Sequence, residues 1–538
     1  MTTNKKNKWQ NVYANAVQLI FVGIVTGVFA GAVVTVYNIF AKKGEIFSRE
    51  WYAYIRENPV FIPLLLLALA IGAFLLSVAV YLVPMIQGSG IPQTEGATRG
   101  RLRFKWYREA VAMFAASLLS IFMGLSAGSE GPSLQIGAAS GDTVASVLKR
   151  NEMIRRYQVT GGACAGLAVA FNAPLTGMAF AFEEAHKRFT PEVFICAFSS
   201  VIFALLTRKG LYHIFGLQET SFFQTYVFPQ GAVTDWKFYI FLLLSSLACG
   251  LAGVLFFRFV FLLRGLFDKL PIQRKFVKMF VQILIAVLLG GLISLFTVNV
   301  MGGGHELIES LGTLGGAGEQ SVTRVFTLPL IATLVIVCIL KFAVTGLNMS
   351  TGIPCGAFIP MLAIGACLGS LLNLAWVKLG MNPIYCDFLV MICMAAFFTS
   401  IVKAPITGIV MVCELTWNFS ALLPVIIGVA AGYLIGDLTR TDGIYEAFLE
   451  AYEEENGVHE KDVVEIFTIE VLSGALADGR TVRDILWPAG ASVKEIRRGE
   501  EIVLPKGDTV IRGGDILTIY CTTDAPEKIR DELQHILT

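Results

Sequence analysis

The chain has 538 residues, a formal net charge of +1, 55% hydrophobic residues and only 15% charged ones. A soluble protein carries closer to about a quarter charged residues, so this composition excludes a soluble globular domain and indicates a polytopic membrane protein. No basic patch interleaved with aromatics is present, which excludes a nucleic-acid partner.

Residues 1–10 are polar, with Lys5, Lys6 and Lys8, and the first apolar run starts at about residue 12. That run is too long for a removed signal peptide and lacks a small-residue cleavage site. It reads as a first membrane helix entered from the cytoplasm. Apolar stretches follow over about 60–86, 109–127, 133–148, 159–184, 191–206, 238–263, 277–299, 325–346, 355–378, 385–401, 404–418 and 421–437. Several fall short of the roughly 20 residues a spanning helix needs, and Gly or Pro interrupts many, as in transporters whose broken helices meet near the midplane. Arg99, Arg101, Arg103, Lys105 and Arg108 form a basic loop, expected to be cytoplasmic. The ten cysteines include no C-x-x-C pair and read as packing residues. Five dispersed histidines offer no metal site, His305-Glu306 alone being a weak signal.

Gly128-Ser129-Glu130-Gly131-Pro132 stands between apolar stretches. A charge at membrane depth is expensive and normally marks a function. Gly131-Pro132 suits a helix start, whose unpaired amides would face Glu130 or an anion that replaces it. The bland alternative is a helix N-cap, for which Ser or Asn would serve more cheaply. Two further glycine-proline elements, Gly88-Ser89-Gly90-Ile91-Pro92 and Gly356-Ala357-Phe358-Ile359-Pro360, can present amides in the same way. Three such elements suit a transporter, because a lysine would hold the anion too tightly to release it.

An internal repeat is visible. Ala173-Pro174-Leu175-Thr176-Gly177-Met178 recurs as Ala404-Pro405-Ile406-Thr407-Gly408-Ile409, an offset of 231 residues (404 − 173). Pro132, Gly137 and Gly141 recur as Pro360, Gly365 and Gly369, and the acids Glu183-Glu184 as Glu414. Two halves, over about 60–206 and 277–437, are expected to frame a site between them. Past about residue 442 the composition turns soluble. Glu450, Glu453, Glu454 and Glu455 read as an acidic, water-facing linker placed at 451–460. Residues 461–538 read as a small α+β cytoplasmic regulatory domain. Its expected elements are a strand over 463–472, a short helix over 481–486, brief strands over 502–504 and 509–511, a strand over 516–520 and an amphipathic helix over 526–537.

Over residues 15–450 these motifs resemble the CLC family of chloride channels and chloride/proton antiporters. The G-S-G-I-P, G-x-E-G-P and G-x-F-x-P elements, F-N-A-P-L at 171–175 with Glu183-Glu184, and Tyr445 agree in order and spacing. The resemblance implies an all-α membrane fold with inverted repeats, a homodimer with one anion pathway per subunit, and chloride as substrate with no cofactor. By motif, Ser89 and Tyr445 would hold chloride with their hydroxyls, and the backbone of Gly131, Ala357 and Phe358 would complete the site. Glu130 would be the external gate and proton carrier, and Glu184 the internal proton-transfer group. On the residues alone, Glu183-Glu184 before Ala185-His186-Lys187-Arg188 read as a solvated helix end with intrahelical pairs. The resemblance reverses that for Glu184 and not for Glu183. Glu414 reads as structural, a cap for a neighbouring helix. Ser129 departs from the Arg or Lys common before the gate glutamate, which leaves open how positive the outer vestibule is. Ser89 implies chloride over nitrate, and fluoride-exporting relatives differ at these motifs. The tail resembles the C-terminal subdomain of RCK (regulator of potassium conductance) modules, also called TrkA-C-like. Such modules bind small ligands including cyclic dinucleotides, and Arg497 and Arg498 are the candidate phosphate contacts.

The expected function is chloride/proton antiport across the plasma membrane, both termini cytoplasmic, with regulation by the tail. The rivals are a passive, voltage- or ligand-gated chloride channel of the same fold and a ligand-sensing membrane protein with vestigial transport. No nucleophile–base constellation or metal set suggests an enzyme.

Overall fold

In a computed structural model the described residues are 2–538, except 106, 188, 219–225, 227–234, 313–328, 420–421, 457–463, 500 and 523–525. The membrane part runs α1 (Thr2–Glu57), α2 (Ile62–Leu82), α3 (Ile91–Thr98), α4 (Tyr107–Phe122), α5 (Glu130–Val147), α6 (Glu152–Phe171), α7 (Pro174–Phe180), α8 (Pro191–Ile214) and α9 (Trp236–Asp268). It continues through α10 (Lys275–Phe296), α11 (His305–Leu311), α12 (Leu330–Ser350), α13 (Phe358–Lys378), α14 (Cys386–Val402), α15 (Pro405–Leu415), α16 (Leu422–Leu438) and α17 (Ile444–Glu455). Among the described residues eight helices are long and apolar enough to cross a membrane. Others are short: α3 has 8 residues, α7 has 7 and α15 has 11. Proline at the first or second position starts each of these three, where its missing N–H costs nothing.

The sequence repeat becomes a packing repeat. Helix α5 lies against α6, and α13 against α14. At Gly137 a Cβ would come within 2.2 Å of the Gly162 carbonyl, and at Gly365 within 2.8 Å of the Met394 Cα. The repeated glycines therefore let both pairs approach backbone to backbone. All ten cysteines are buried, four of them (Cys164, Cys367, Cys386 and Cys393) on these packed helices.

Two expectations change in the membrane part. The first apolar run ends near residue 40, yet α1 continues to Glu57, where Ala41, Tyr52 and Ile55 are buried in the core and Glu45 and Arg49 pair one turn apart at 3.7 Å. The acidic residues from Glu450 onward form no separate linker, although Glu450, Glu454 and Glu455 do face water. They sit on α17, which lays its acids against the basic loop after α3: Glu446 meets Arg99 at 3.5 Å and Glu453 meets Arg101 at 3.5 Å. The part of the expected linker over 457–460 lies outside the described residues.

The tail forms an antiparallel sheet of β1 (Val464–Glu470), β2 (Ala491–Arg498), β3 (Glu501–Val503) and β4 (Ile516–Thr522), in spatial order β1-β4-β2-β3, closed by α18 (Pro526–Leu537). On β4 burial alternates, with Leu517, Ile519 and Cys521 inward, packing on Phe467, Ile496, Leu533 and Ile536. Residues 509–511, expected as a strand, contribute only an isolated bridge from Val510 to Thr481. The expected helix over 481–486 shrinks to a 3₁₀ turn, Val482–Asp484. The tail docks on its own membrane part: Arg480 pairs with Glu192 at 2.5 Å, and Met153 packs on the tail core. Buried Arg156 spans the junction, donating from Nε to the Thr98 carbonyl (3.0 Å) and from Nη1 to the Trp487 carbonyl (3.1 Å).

Candidate functional site

The three glycine-proline elements converge. Gly128 and Gly356 pair as an antiparallel bridge, each N–H donating to the other's carbonyl at 2.8 Å. The Gly88 N–H donates to Gly352 (2.9 Å), and the Cys355 N–H to Gly88 (3.1 Å). At Gly131 a Cβ would stand 2.6 Å from the Ser89 carbonyl and 3.3 Å from the Gly356 Cα, so only glycine fits. The first turns of α3, α5 and α13 are thereby locked together. Their first N–H groups have no partner within their own helices, and their positive dipole ends share one neighbourhood.

Side chains gather around that junction. Glu130, the first residue of α5, is 2% exposed, and its Oε2 has no hydrogen-bond partner among the described residues. Its Oε1 lies 3.4 Å from the Ser129 hydroxyl and 3.4 Å from His305 Nε2. Ser89 accepts at Oγ from the Ile91 N–H (3.4 Å), which leaves its own O–H to donate. Ala357 and Phe358 open α13, and the Phe358 ring stacks on Tyr445 with centroids 5.9 Å apart and planes 23° apart. The Tyr445 hydroxyl is buried and has no partner among the described residues. Glu130, Glu184 and Glu95 all lie within electrostatic reach of Tyr445.

The second buried carboxylate lies on the tail side. Beyond α7 the helix widens into a π turn, Ala181–Ala185, which aims Glu183 and Glu184 in different directions. Glu184 is buried, and neither carboxylate oxygen has a partner among the described residues. Arg99 holds the turn by donating to the carbonyls of Glu184 (2.9 Å) and Ala185 (3.2 Å). Lys187 pairs with Glu446 and His186 with Thr160, not with the acids before them. The intrahelical pairs expected for Glu183-Glu184 are therefore absent among the described residues. Glu183 instead accepts from the Ile406 and Thr407 amides (2.8 and 2.6 Å), capping α15. Glu414 accepts from the Leu175 and Thr176 amides (2.8 and 2.7 Å), capping α7, the structural role expected of it.

A cleft reaches Ser89 between α3, α9, the end of α12 and α17, with Arg264, Phe448, Tyr452 and Glu455 in its walls. Arg264 lies over the Phe448 ring at 5.4 Å and pairs with Glu455 at 2.5 Å. In the tail, Arg498 is engaged by Asp515 through two hydrogen bonds of 2.8 Å and by the Val510 carbonyl. Exposed Arg497 meets Glu495 at 3.7 Å. The structure does not bring the two arginines together into one phosphate cradle.

Sequence reasoning missed His305, Glu95 and Arg99 as neighbours of the two key glutamates. Only Glu95 left a signal, as an acid inside the buried G-S-G-I-P helix paired with Arg99 one turn on at 3.1 Å.

Comparison with known proteins agrees with this geometry. The family model described as voltage gated chloride channel matches residues 71–437, and the TrkA-C domain model matches residues 466–534. The chain is 30% identical over 444 residues to the H(+)/Cl(-) exchange transporter ClcA of Vibrio cholerae serotype O1, covering 80% of this chain and 89% of the relative. A slow cyanobacterial Cl-/H+ antiporter superposes with a TM-score of 0.68 at 23% identity, covering 81% of this chain and 99% of that one. A CLC-type fluoride/proton antiporter gives 0.63 at 21% identity, covering 80% and 97%. At those identities the two structures speak for the fold alone. By the extent of the family match, and by the agreement of its motifs with the converging helix ends, this chain belongs to the CLC family of voltage-gated chloride channels.

Proposed function

We propose that the protein exchanges chloride for protons across a membrane. The observation that carries this reading is the junction of the α3, α5 and α13 N-termini, flanked by two buried carboxylates: Glu130, whose Oε2 has no hydrogen-bond partner among the described residues, and Glu184, neither of whose oxygens has one. A dehydrated anion is stabilised there by amides and dipole ends without an adjacent full positive charge. The Tyr445 and Ser89 hydroxyls donate to it, and so do the backbone amides near Gly131, Ala357 and Phe358. Ionised Glu130 competes with chloride for the same positive field, whereas protonated Glu130 yields. Coupling is this competition, which shifts a two-state equilibrium. Glu184 supplies the proton from the tail side. Burial of its carboxylate disfavours the solvated helix end that a passive channel would tolerate.

The protein works as a homodimer in the plasma membrane with both termini cytoplasmic, and the tail modulates it. A small ligand, a cyclic dinucleotide by the tail's resemblance, would meet Arg497 rather than Arg498, whose guanidinium is already engaged. The test is proton movement into chloride-loaded liposomes under a chloride gradient alone. Uphill proton movement supports antiport; chloride efflux without it makes the protein a channel or an uncoupled carrier.

A further inference from the structure

The contact between His305 and Glu130 links residues 175 positions apart and rests on a built frame. Lys341, fully buried in α12, donates to the carbonyls of Val300 (3.0 Å), Met301 (3.4 Å) and Gly302 (2.8 Å). The Gly302 N–H donates to Leu125, just ahead of the Glu130 stretch (3.0 Å). Gly304, at a φ of +98°, turns the chain into α11, and Glu306 is held by Arg49 of α1. The imidazole therefore enters from a fixed loop and places Nε2 3.4 Å from Glu130 Oε1.

Its side of the molecule is also determined. Helix α1 runs alongside α8 in the same direction, Gly23 against Cys196, Gly27 against Ser200 and Gly31 against Ala204. The start of α8 is tied to the tail through Glu192. At 1.5 Å per residue, Glu45 and Arg49 lie about 25–35 Å further from the tail than Gly27. His305 thus meets Glu130 from the face away from the tail, whereas Glu184 is held beside Arg99 on the tail side. The Glu130 side chain is 2% exposed and that of His305 is 25% exposed. Of the two side chains, that of His305 has the exposed edge, while its Nδ1 is buried.

We propose that His305 is the proton-exchange partner of Glu130 on the face away from the tail. When the carboxyl gives up its proton, the Glu130 O–H bond breaks and an Nε2–H bond forms, leaving a carboxylate beside an imidazolium. The imidazolium then releases a proton to water and returns to neutral. The same ion pair attracts the freed carboxylate outward, opposing its return to the anion junction. Ser129, directly before Glu130, is neutral and adds no positive charge there. The other charged groups around His305 are Glu45, Lys42 and Arg49 from α1, Glu306 and Glu309 from its own helix, and Lys341 from α12. Helix α13, which packs on α11, carries no charged residue before Lys378.

The inference rests on the antiport reading and is tested on the full-length protein in liposomes, by following coupled chloride and proton flux against the pH on the side away from the tail. The unsubstituted protein is expected to show an inflection where His305 passes between its neutral and charged forms. H305Q and H305F should lose it and run about tenfold slower near pH 7.5, less than a fully enclosed general base costs because water has access. Added imidazole should restore part of that rate in H305Q. In an E130Q background, with no carboxylate to exchange with, H305Q should change chloride flux less than about twofold. An inflection that persists in H305Q, or an equal loss of flux in the E130Q background, overturns the assignment and makes His305 structural. If the unsubstituted protein moves no protons, the antiport reading fails and this inference with it; coupled movement with an unchanged profile overturns this inference alone.

Discussion

Glu183 and Glu414 each cap the first turn of the helix at whose far end the other stands: Glu414 accepts from the Leu175 and Thr176 amides at the start of α7, and Glu183 from the Ile406 and Thr407 amides at the start of α15. The two short helices are tied tail to head across the repeat. Each carboxylate satisfies amides that would otherwise have no partner, and each faces a positive dipole end. Glu414→Ala should cost about 1–3 kcal/mol, as loss of a charged cap. Glu414→Gln should cost less, since one amide oxygen can still accept. Thermal unfolding of the purified protein measures both; indistinguishable Gln and Ala variants would mean that the cap contributes through packing alone.

Glu130→Gln is expected to abolish proton coupling and retain chloride flux, because a neutral amide neither competes for the anion junction nor carries a proton. Glu184→Gln should abolish coupling as well, its loss falling on the proton leg from the tail side. Paired chloride and proton flux recordings decide the matter. Proton transport that survives in the Glu130 variant defeats the assignment.

Tyr445→Phe keeps the ring stacked on Phe358 and removes only the buried hydroxyl. A hydrogen bond to a charged group is worth about 1.5–3 kcal/mol, so chloride affinity should fall by about ten- to a hundredfold. Calorimetric titration with chloride, beside an unchanged melting temperature, tests this. An unaltered affinity would mean that the phenol does not face the anion.

In the tail, burial opposes ionisation of Asp515, but the paired hydrogen bonds from Arg498 and the Arg512 amide outweigh it and hold the carboxyl below its usual range. A lowered folded value means that the contribution is complete above the unfolded value of about 3.9 and is lost as pH falls through the folded one. Asp515→Asn should therefore speed amide exchange in β2 and β4 relative to the unsubstituted protein at about pH 6. The difference should shrink as both are acidified toward about pH 2. A gap that stays constant with pH would assign the effect to geometry rather than charge.

The parts of this architecture legible in the sequence are those written in local chemistry. Proline after glycine marks the starts of α3, α5 and α13, and repeated glycines mark the helices that pack closest. Strand β2 leaves little sequence signal because Lys494, Glu495, Arg497 and Arg498 crowd it and a bulge between Val493 and Glu495 breaks its alternation. Glu453 and Glu455 read as merely solvated because their partners Arg101 and Arg264 lie 352 and 191 residues away along the chain. His305 carried no signal of its link to Glu130 for the same reason. Its meaning comes from a loop that Lys341 ties down across the fold, and no spacing along the chain encodes that.

Arg156 puts the carbonyl of Trp487 and that of Thr98, the last residue of α3, on one guanidinium. Helix α3 begins beside Ser89, so a single rigid group joins the tail to the far end of the element that opens at the anion junction. Two sites joined this way obey reciprocity: a compound that binds the tail and shifts Trp487, and so alters chloride affinity by some factor, must itself be bound differently by that factor when chloride changes. The anion concentration the transporter works against would then be legible at the tail as a binding constant.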